Sequence, residues 1–362
     1  MKTKLVYVLT CAPEATYIEQ ALMAVWSARY WNPSAYIVLL TDDKTDLLLH
    51  GKRGEILQYI TEKIVIPFEE YSLTPLYRSR WIKTQVRQMI EGTFLFVDCD
   101  TICCRSISEI DEFICEVGAA GDDNTLFSQN VSKEETSQKV SPLCDISKEE
   151  YYFSSGVIFC KDTPATRNFF ALWHAYWKEG LAFGIKIDQP SLAKANIETG
   201  HIIVPIGNVY NNVLYTQNNH LLESAILHIS NFPQTSFLFK KHVLSIIREQ
   251  GITPWMEELI SRIHTTYLPF DYSIKHSTVR QRMTWITEIA YAARIYGKYV
   301  NDTYEEWEFK VGIQRLLRYL LRLHFYQFAV AVWLAYKRFQ LRKRDNLPSN
   351  VCAINLVIEV KE

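Results

Sequence analysis

No stretch of this sequence reaches the ~20 consecutive apolar residues that a membrane-spanning helix needs, so none is expected. Behind Met1-Lys2-Thr3-Lys4 the apolar run covers only residues 5–10, short of the ~7–15 of a secretory leader, and reads better as a first core strand. None of the eight cysteines (Cys11, Cys99, Cys103, Cys104, Cys115, Cys144, Cys160 and Cys352) forms a C-x-x-C pair. Zinc sites favour paired short spacings, so Cys99, Cys103, Cys104 and Cys115 are not read as a cluster. Reduced, buried cysteines of a cytoplasmic protein are the expectation. No internal repeat is present. Acidic residues are absent from residues 309–344, which carry nine Lys or Arg.

That last absence hides behind a net charge of -1. The rest of the chain holds 30 basic and 40 acidic residues, a net of -10. An acidic body with a basic tail points to an anionic partner for the tail. Within the tail, residues 325–336 hold Gln327 as the single polar residue besides tyrosine, with Trp333 inside. Arg315, Arg318 and Arg322 precede this segment; Lys337, Arg338, Arg342, Lys343 and Arg344 follow it. It is too short to cross a bilayer. It suits the inner face of an anionic membrane, as on a peripheral protein, or a core helix with a solvated basic end. No nucleic-acid partner is implied.

The chain has 362 residues, 48% hydrophobic and 22% charged, the composition of a folded globular protein. Single cores rarely grow past ~250–300 residues, so a catalytic domain with an appendage is expected. The division is placed at 1–235 for the domain and 236–362 for a mainly helical C-terminal region.

Continuous apolar runs at residues 5–9 and 35–40, with a third at 63–66, read as buried strands. Between the first two, Ile18, Leu22, Val25 and Trp26 fall on one helical side. The alternation predicts an α/β domain with a mixed, mostly parallel sheet flanked by helices. A further helix has clear ends: Thr74 caps it, Pro75 suits its first turn and Gly92 its exit. Residues 93–97 then form a strand that delivers Asp98 and Asp100 at its C-terminal end. Another strand ends at Gly121-Asp122-Asp123. Residues 124–150 are polar and aperiodic, as in a lid or a disordered loop. From residue 240 onward the pattern is mostly helical, with residues 314–344 as one long helix.

Two aspartates one residue apart at a strand end can meet one cation as the chain turns, and hard oxygen ligands suit Mn2+ or Mg2+. Such a metal neutralises a departing diphosphate. In open α/β sheets ligands bind outside the carboxyl ends of the strands, where this pair falls. Arg80 and Lys83 share a helical face and can reach phosphates or a carboxylate of the metal site.

Tyr77-Arg78-Ser79-Arg80-Trp81-Ile82-Lys83 followed by residues 94–101 resembles the GT-A-fold nucleotide-diphospho-sugar transferases, glycosyltransferase family 8 in particular. In order follow Tyr152-Phe153-Ser154-Ser155-Gly156-Val157-Ile158, Ile187-Asp188-Gln189-Pro190 and Ala225-Ile226-Leu227-His228. They are similar to that family's Asn-Ser-Gly strand, Asp-Gln helix start and metal-binding histidine strand. The resemblance spans residues 4–232. It departs at Ser154, where the family has Asn, and after His228, where the family's lysine segment has no counterpart.

The resemblance implies His228 as a third metal ligand, and Asp188 and Gln189 by the donor sugar and its reacting face. Asp122 and Asp123 would hold the sugar, with Ser155 and Gly156 close by. Thr10, Cys11, Ala12 and Asp42 would contact the nucleoside. The function implied is metal-dependent transfer from a UDP-sugar to a glycan or glycolipid hydroxyl, with retention. Two competitors remain. A haloacid-dehalogenase-type phosphatase also uses D-x-D after an apolar strand. However, it prefers Thr or Val where this chain has Ile102, and it places the motif nearer the domain's start. A non-catalytic sugar- or membrane-binding module on the transferase fold is the other.

Overall fold

The apolar runs form strands in a computed structural model that describes residues 1–68, 74–130, 132–213, 224–229 and 241–261. β1 (Lys4–Leu9) and β2 (Ile37–Asp42) are parallel, with Val6 opposite Val38 and Val8 opposite Leu40. Both are almost wholly buried, as strands covered on two faces must be. β3 (Glu62–Ile66) pairs parallel with β2 at the sheet edge. Its pattern alternates: Lys63 and Val65 are exposed, while Ile64 and Ile66 pack on the core. β4 (Phe94–Val97) pairs parallel with the other side of β1.

β6 (Val117–Gly121), β7 (Phe153–Cys160) and β8 (Ile203–Pro205) complete the sheet in the order β3-β2-β1-β4-β7-β6-β8. Only β7 runs against its neighbours β4 and β6. The sheet is therefore mixed and mostly parallel, as the alternating pattern implied. A second sheet joins β5 (Thr101–Cys103), β10 (Ile226–His228) and β9 (Asn212–Val213), with β10 in the centre.

Between β1 and β2 runs α1 (Tyr17–Trp31). The helix with clear ends is two helices. α3 (Pro75–Thr84) starts on Thr74, whose hydroxyl accepts from the Tyr77 amide, and breaks at Gln85. α4 (Val86–Met89) follows, and Gly92 takes the left-handed conformation (φ 75°) before β4. A short α2 (Asp43–Asp46) follows β2 directly, capped by Asp42.

Residues 124–150 are not a structureless lid. They contain short 3-10 turns and α5 (Lys133–Val140), although Val131 lies outside the described residues. Phe127, Val140, Ile146 and Tyr152 form a small core of their own, against which Ala193 and Ile197 pack. Those two residues belong to α7 (Gln189–Glu198).

α6 (Pro164–Ala182) carries His174 between Trp81 and Trp177, each 5.8 Å away between ring centroids. Burial, helped by the charge of Lys178, pushes this imidazole down to about 4 from 6.5. The unfolded chain then takes up a proton near pH 6.5 that the folded protein refuses until about pH 4. Stability should therefore fall with pH across this window. The gap in unfolding free energy between the wild type and His174→Phe should shift against the wild type from pH 6.5 to 4. Denaturant melts at several pH values measure this, and a pH-independent gap would contradict it.

Two compact units divide the chain: Met1–Asn231 with Leu244–Gly251, and Phe232–Val243 with Ile252–Glu362. α8 (Lys241–Gln250) therefore gives most of its length to the first unit, and α9 (Pro254–Ser261) lies in the second. Arg248 of α8 reaches Glu19 of α1 at 2.9 Å. The expected basic helix at 314–344 and its membrane role lie outside the described residues. Among the described residues, no helix is long and apolar enough to cross a membrane.

Candidate active site

The D-x-D turn is held from two sides. Beyond Val97 the β4–β7 ladder continues as the Asp98 amide donates to the Gly156 carbonyl at 2.8 Å. The Thr101 hydroxyl donates back to the Asp98 carbonyl at 2.7 Å, closing the turn into β5. β5 then pairs antiparallel with β10, placing His228 opposite Thr101. The next rung runs from the Ile229 amide to the Asp100 carbonyl at 2.8 Å. This long-range register brings a histidine more than a hundred residues away to the D-x-D turn.

One ligand atom from each of Asp98, Asp100 and His228 lies within 4.8 Å of the others. The His228 Nε2 is 3.2 Å from Asp100 Oδ1, and its Nδ1 is 2.9 Å from the Asn211 side-chain oxygen. Three features fit a divalent cation: the mixed oxygen and nitrogen donors, their convergence, and an imidazole fixed through its second nitrogen. Among the described residues no other group of three such side chains converges. Cys99, between the two aspartates, donates to the Val8 carbonyl. Burial and the adjacent carboxylates push its thiol well up.

Gly156 makes room for this arrangement. A Cβ there would overlap His228 Cε1 and stand 2.6 Å from its Nδ1. The absent side chain of this glycine thus leaves room for the histidine ring. Gly156→Ala should displace the ring and weaken Mn2+ binding by about 10- to 100-fold, with β7 still folded. Calorimetry with the metal alone and circular dichroism check the two halves, and unchanged affinity would refute the packing argument.

Lys83 is almost completely buried and joins two carboxylates. Its Nζ lies 3.1 Å from Asp98 Oδ1 and 3.2 Å from Asp188 Oδ2, and it donates to Ser155 Oγ at 3.3 Å. Arg80 Nε stands 2.8 Å from Asp188 Oδ1. Arg80 Nε and Asp188 Oδ2 meet these partners as ion pairs. Asp188 is buried at the start of α7, where the Trp173 indole and the Ser191 hydroxyl hold its carbonyl. Burial opposes its charge, but Lys83 and Arg80 hold the carboxyl well below the usual range. Gln189 follows, its Nε2 without a hydrogen-bond partner among the described residues.

The charges of the D-x-D are unequal. Burial and the nearby Asp100 raise Asp98 above its ordinary value, against Lys83 and His228. Burial also opposes ionisation of Asp100, yet the His228 charge and hydrogen bond outweigh it and lower that carboxyl. The same pairing raises His228 despite its burial.

A cleft opens beside this group, lined by Thr10, Tyr17, Leu76, Ser79, Arg80, Asp98 and Asp100 among others. Tyr17 and Leu76 are both exposed large side chains on it. Thr10 was expected here, although its hydroxyl is committed to the Pro75 carbonyl at 2.6 Å. Cys11 does not reach out: it is buried, its amide donates to Thr45 Oγ1 and its thiol to the Ala12 carbonyl. The half-buried Ala12 places its carbonyl in the same turn, accepting from the Ala15 amide.

Asp42 is wholly buried, with one oxygen capping the Thr45 amide and the other held by Arg78 at 2.7 Å. Asp122 is half-buried, near enough to Tyr152 that its charge, like that of Asp188, adds to the burial that pushes the phenol up. The Asp123 side chain lies outside the described residues. Tyr17, Trp173 and Asn211 were not expected at the site. An aromatic residue at the start of the first helix was a usable signal for Tyr17; no spacing pattern announces the other two.

No protein-family profile matches the chain, and no curated protein matches it by sequence. Solved structures do. The chain is similar to mouse xyloside xylosyltransferase 1 in its apo form, at 13% identity over 64% of this chain and 98% of that one, with a TM-score of 0.44. It is also similar to the galactosyltransferase LgtC in complex with donor and acceptor sugar analogs, at 15% identity over 71% and 99%, with a TM-score of 0.45. An active-site mutant of LgtC is similar at 13% identity over 72% and 100%, with a TM-score of 0.46.

Proposed function

We propose that this chain is a metal-dependent glycosyltransferase that moves a sugar from a nucleotide-diphosphate donor, a UDP-sugar, to a hydroxyl of a glycan or lipid-linked glycan. The observation that carries the proposal is the convergence of Asp98, Asp100 and His228 beside a cleft that also holds Arg80. Lys83 and Asp188 stand immediately behind that cleft.

Asp98, Asp100 and the His228 Nε2 would hold Mn2+ or Mg2+, which when bound supplies positive charge against the donor diphosphate. Arg80 flanks the same space, and its guanidinium charge would face the oxygens of the leaving group. Lys83 keeps Asp98 and Asp188 at fixed spacing, so the carboxylates need little reorganisation when the donor arrives. Asp188 stays ionised and can hold sugar hydroxyls or face the positive charge that develops at the anomeric carbon. Gln189 offers a free amide beside it. Tyr17 and Leu76 form an apolar wall suited to the flat face of a base. Retention of configuration follows from the resemblance to family 8, and Asp122 and Asp123 remain candidates for the sugar.

A thermal-shift screen of UDP- and GDP-sugars with and without Mn2+, followed by chromatography of released nucleotide, tests the proposal. A shift needing both metal and donor, with nucleotide diphosphate released, is the expected result. No binding and no hydrolysis across the panel would refute the transferase.

A further inference from the structure

His228 is fixed by a device that extends well beyond the three metal-holding side chains. Its Nε2 faces Asp100 Oδ1 at 3.2 Å, and its Nδ1 meets the Asn211 Oδ1 at 2.9 Å. With the Asn211 oxygen toward the ring, as placed, the contact takes its hydrogen from Nδ1, because an amide oxygen only accepts; the buried Asn211 Nδ2 has no hydrogen-bond partner among the described residues. A cation-holding Nε2 must have lost its proton, and the neutral ring then has to keep its remaining proton on Nδ1. An acceptor at this place selects that tautomer and sets the plane of the ring.

Asn211 is itself immobilised. It is completely buried and ends a 3-10 turn, Asn208–Tyr210, just ahead of β9. Its backbone carbonyl accepts from Asn124 Nδ2 at 2.8 Å. The Asn124 Oδ1 accepts from the Val213 amide at 2.8 Å, and the Asn124 carbonyl accepts from Asn208 Nδ2 at 2.8 Å. Three hydrogen bonds from one residue therefore pin the segment 208–213 on both sides of Asn211. Asn124 does this from the left-handed region (φ 56°), which asparagine tolerates better than most residues. Beside Cε1 and Nδ1 of the imidazole the absent side chain of Gly156 leaves the ring its room.

We infer that Asn211 is a positioning residue that sets the tautomer and orientation of His228 for metal binding, and that Asn124 acts through Asn211. This role rests on the metal site proposed above, but part of its test does not. In apo protein labelled with 15N-histidine, at a pH where the ring carries a single proton, long-range proton–nitrogen correlation spectra should show that proton on Nδ1 of His228, and Asn211→Ala should lose that preference. By calorimetry with Mn2+ alone, Asn211→Ala should bind about 10- to 100-fold more weakly. Asn211→Asp keeps an acceptor at the same atom and should restore both the Nδ1 proton and affinity to within about fivefold of wild type. A residue serving only the local fold would not be rescued in this way.

Asn124→Gly keeps the left-handed backbone while removing the side-chain bonds, and should weaken Mn2+ less than Asn211→Ala does. It also serves as the second variant if Asn211→Ala fails to fold. Wild-type affinity and Nδ1 protonation retained in Asn211→Ala, or in Asn124→Gly where only that variant folds, would overturn the inference. A wild type that binds no metal would instead sink the metal site, while the apo spectra would still decide who holds the histidine.

Discussion

Asp100→Ala is expected to abolish metal-dependent release of nucleotide diphosphate from the donor, by about 10^3-fold or more in kcat/KM. Its metal-induced thermal shift should vanish as well. The expected effect is large because Asp100 is the lower-pKa member of the pair: the His228 imidazole outweighs burial and holds it ionised. Asp98 is less favourably placed. Burial raises its pKa, and part of its charge is already engaged by Lys83 at 3.1 Å. Removing Asp100 therefore removes the carboxylate freest to hold a cation, and leaves His228 without its anionic partner.

The fold should survive that substitution. Asp98 and Asp100 repel each other when no cation lies between them, and the Asp100 charge contributes to raising Asp98. Its loss relieves that repulsion while costing one His228 contact. The apo melting temperature of Asp100→Ala should thus lie close to the wild-type value. Parallel melts and steady-state rates with and without EDTA provide the measurement. Full activity in Asp100→Ala, or activity of the wild type unaffected by EDTA, would refute the assignment. If the apo protein is instead strongly destabilised, the carboxylate is structural.

What could be read from sequence follows from how local each feature is. Asp98 and Asp100 were legible because four buried residues, Phe94 to Val97, deliver them at the C-terminal end of a parallel strand. Arg80 and Lys83 were legible because helical spacing puts them on one face, and the structure sets both against Asp188. At Asp42 the sequence leaves the direction of the side chain open, because a strand-end aspartate looks the same whether it faces a cleft or turns inward. Only the tertiary position of Arg78 decides between the two. Residues 124–150 looked structureless because α5 is short and polar; its order comes from Val140 and its neighbours packing near α7. Asn211 was invisible for the same reason. Its meaning exists only after β5 and β10 pair and Asn124 takes its left-handed turn.

The largest stability effect is expected at Glu19, far from any of these motifs. Glu19 is 1% exposed and is held by two guanidinium groups, Arg53 at 2.7 Å and Arg248 at 2.9 Å. The two arginines also bind the loop between β1 and α1: Arg53 donates to the Pro13 and Ala15 carbonyls, and Arg248 to those of Ala15 and Glu14. That loop connects Thr10 to Tyr17, two residues of the cleft. Glu19→Ala leaves two cations facing each other, with Arg53 mostly buried and Arg248 about a third exposed. Breaking such a pair by removing one partner costs about 3–5 kcal/mol, a drop in melting temperature on the order of 10 °C for a domain of this size. Arg248→Ala should cost much less, because Arg53 still neutralises the carboxylate. Cutting the chain ahead of α8 should match Arg248→Ala in loosening the 13–15 loop, measured by hydrogen exchange of its amides. If Glu19→Ala melts within about 2 °C of wild type, a shift worth only ~1 kcal/mol, the cluster is a surface feature. α8 would then have no energetic hold on the loop that borders the cleft.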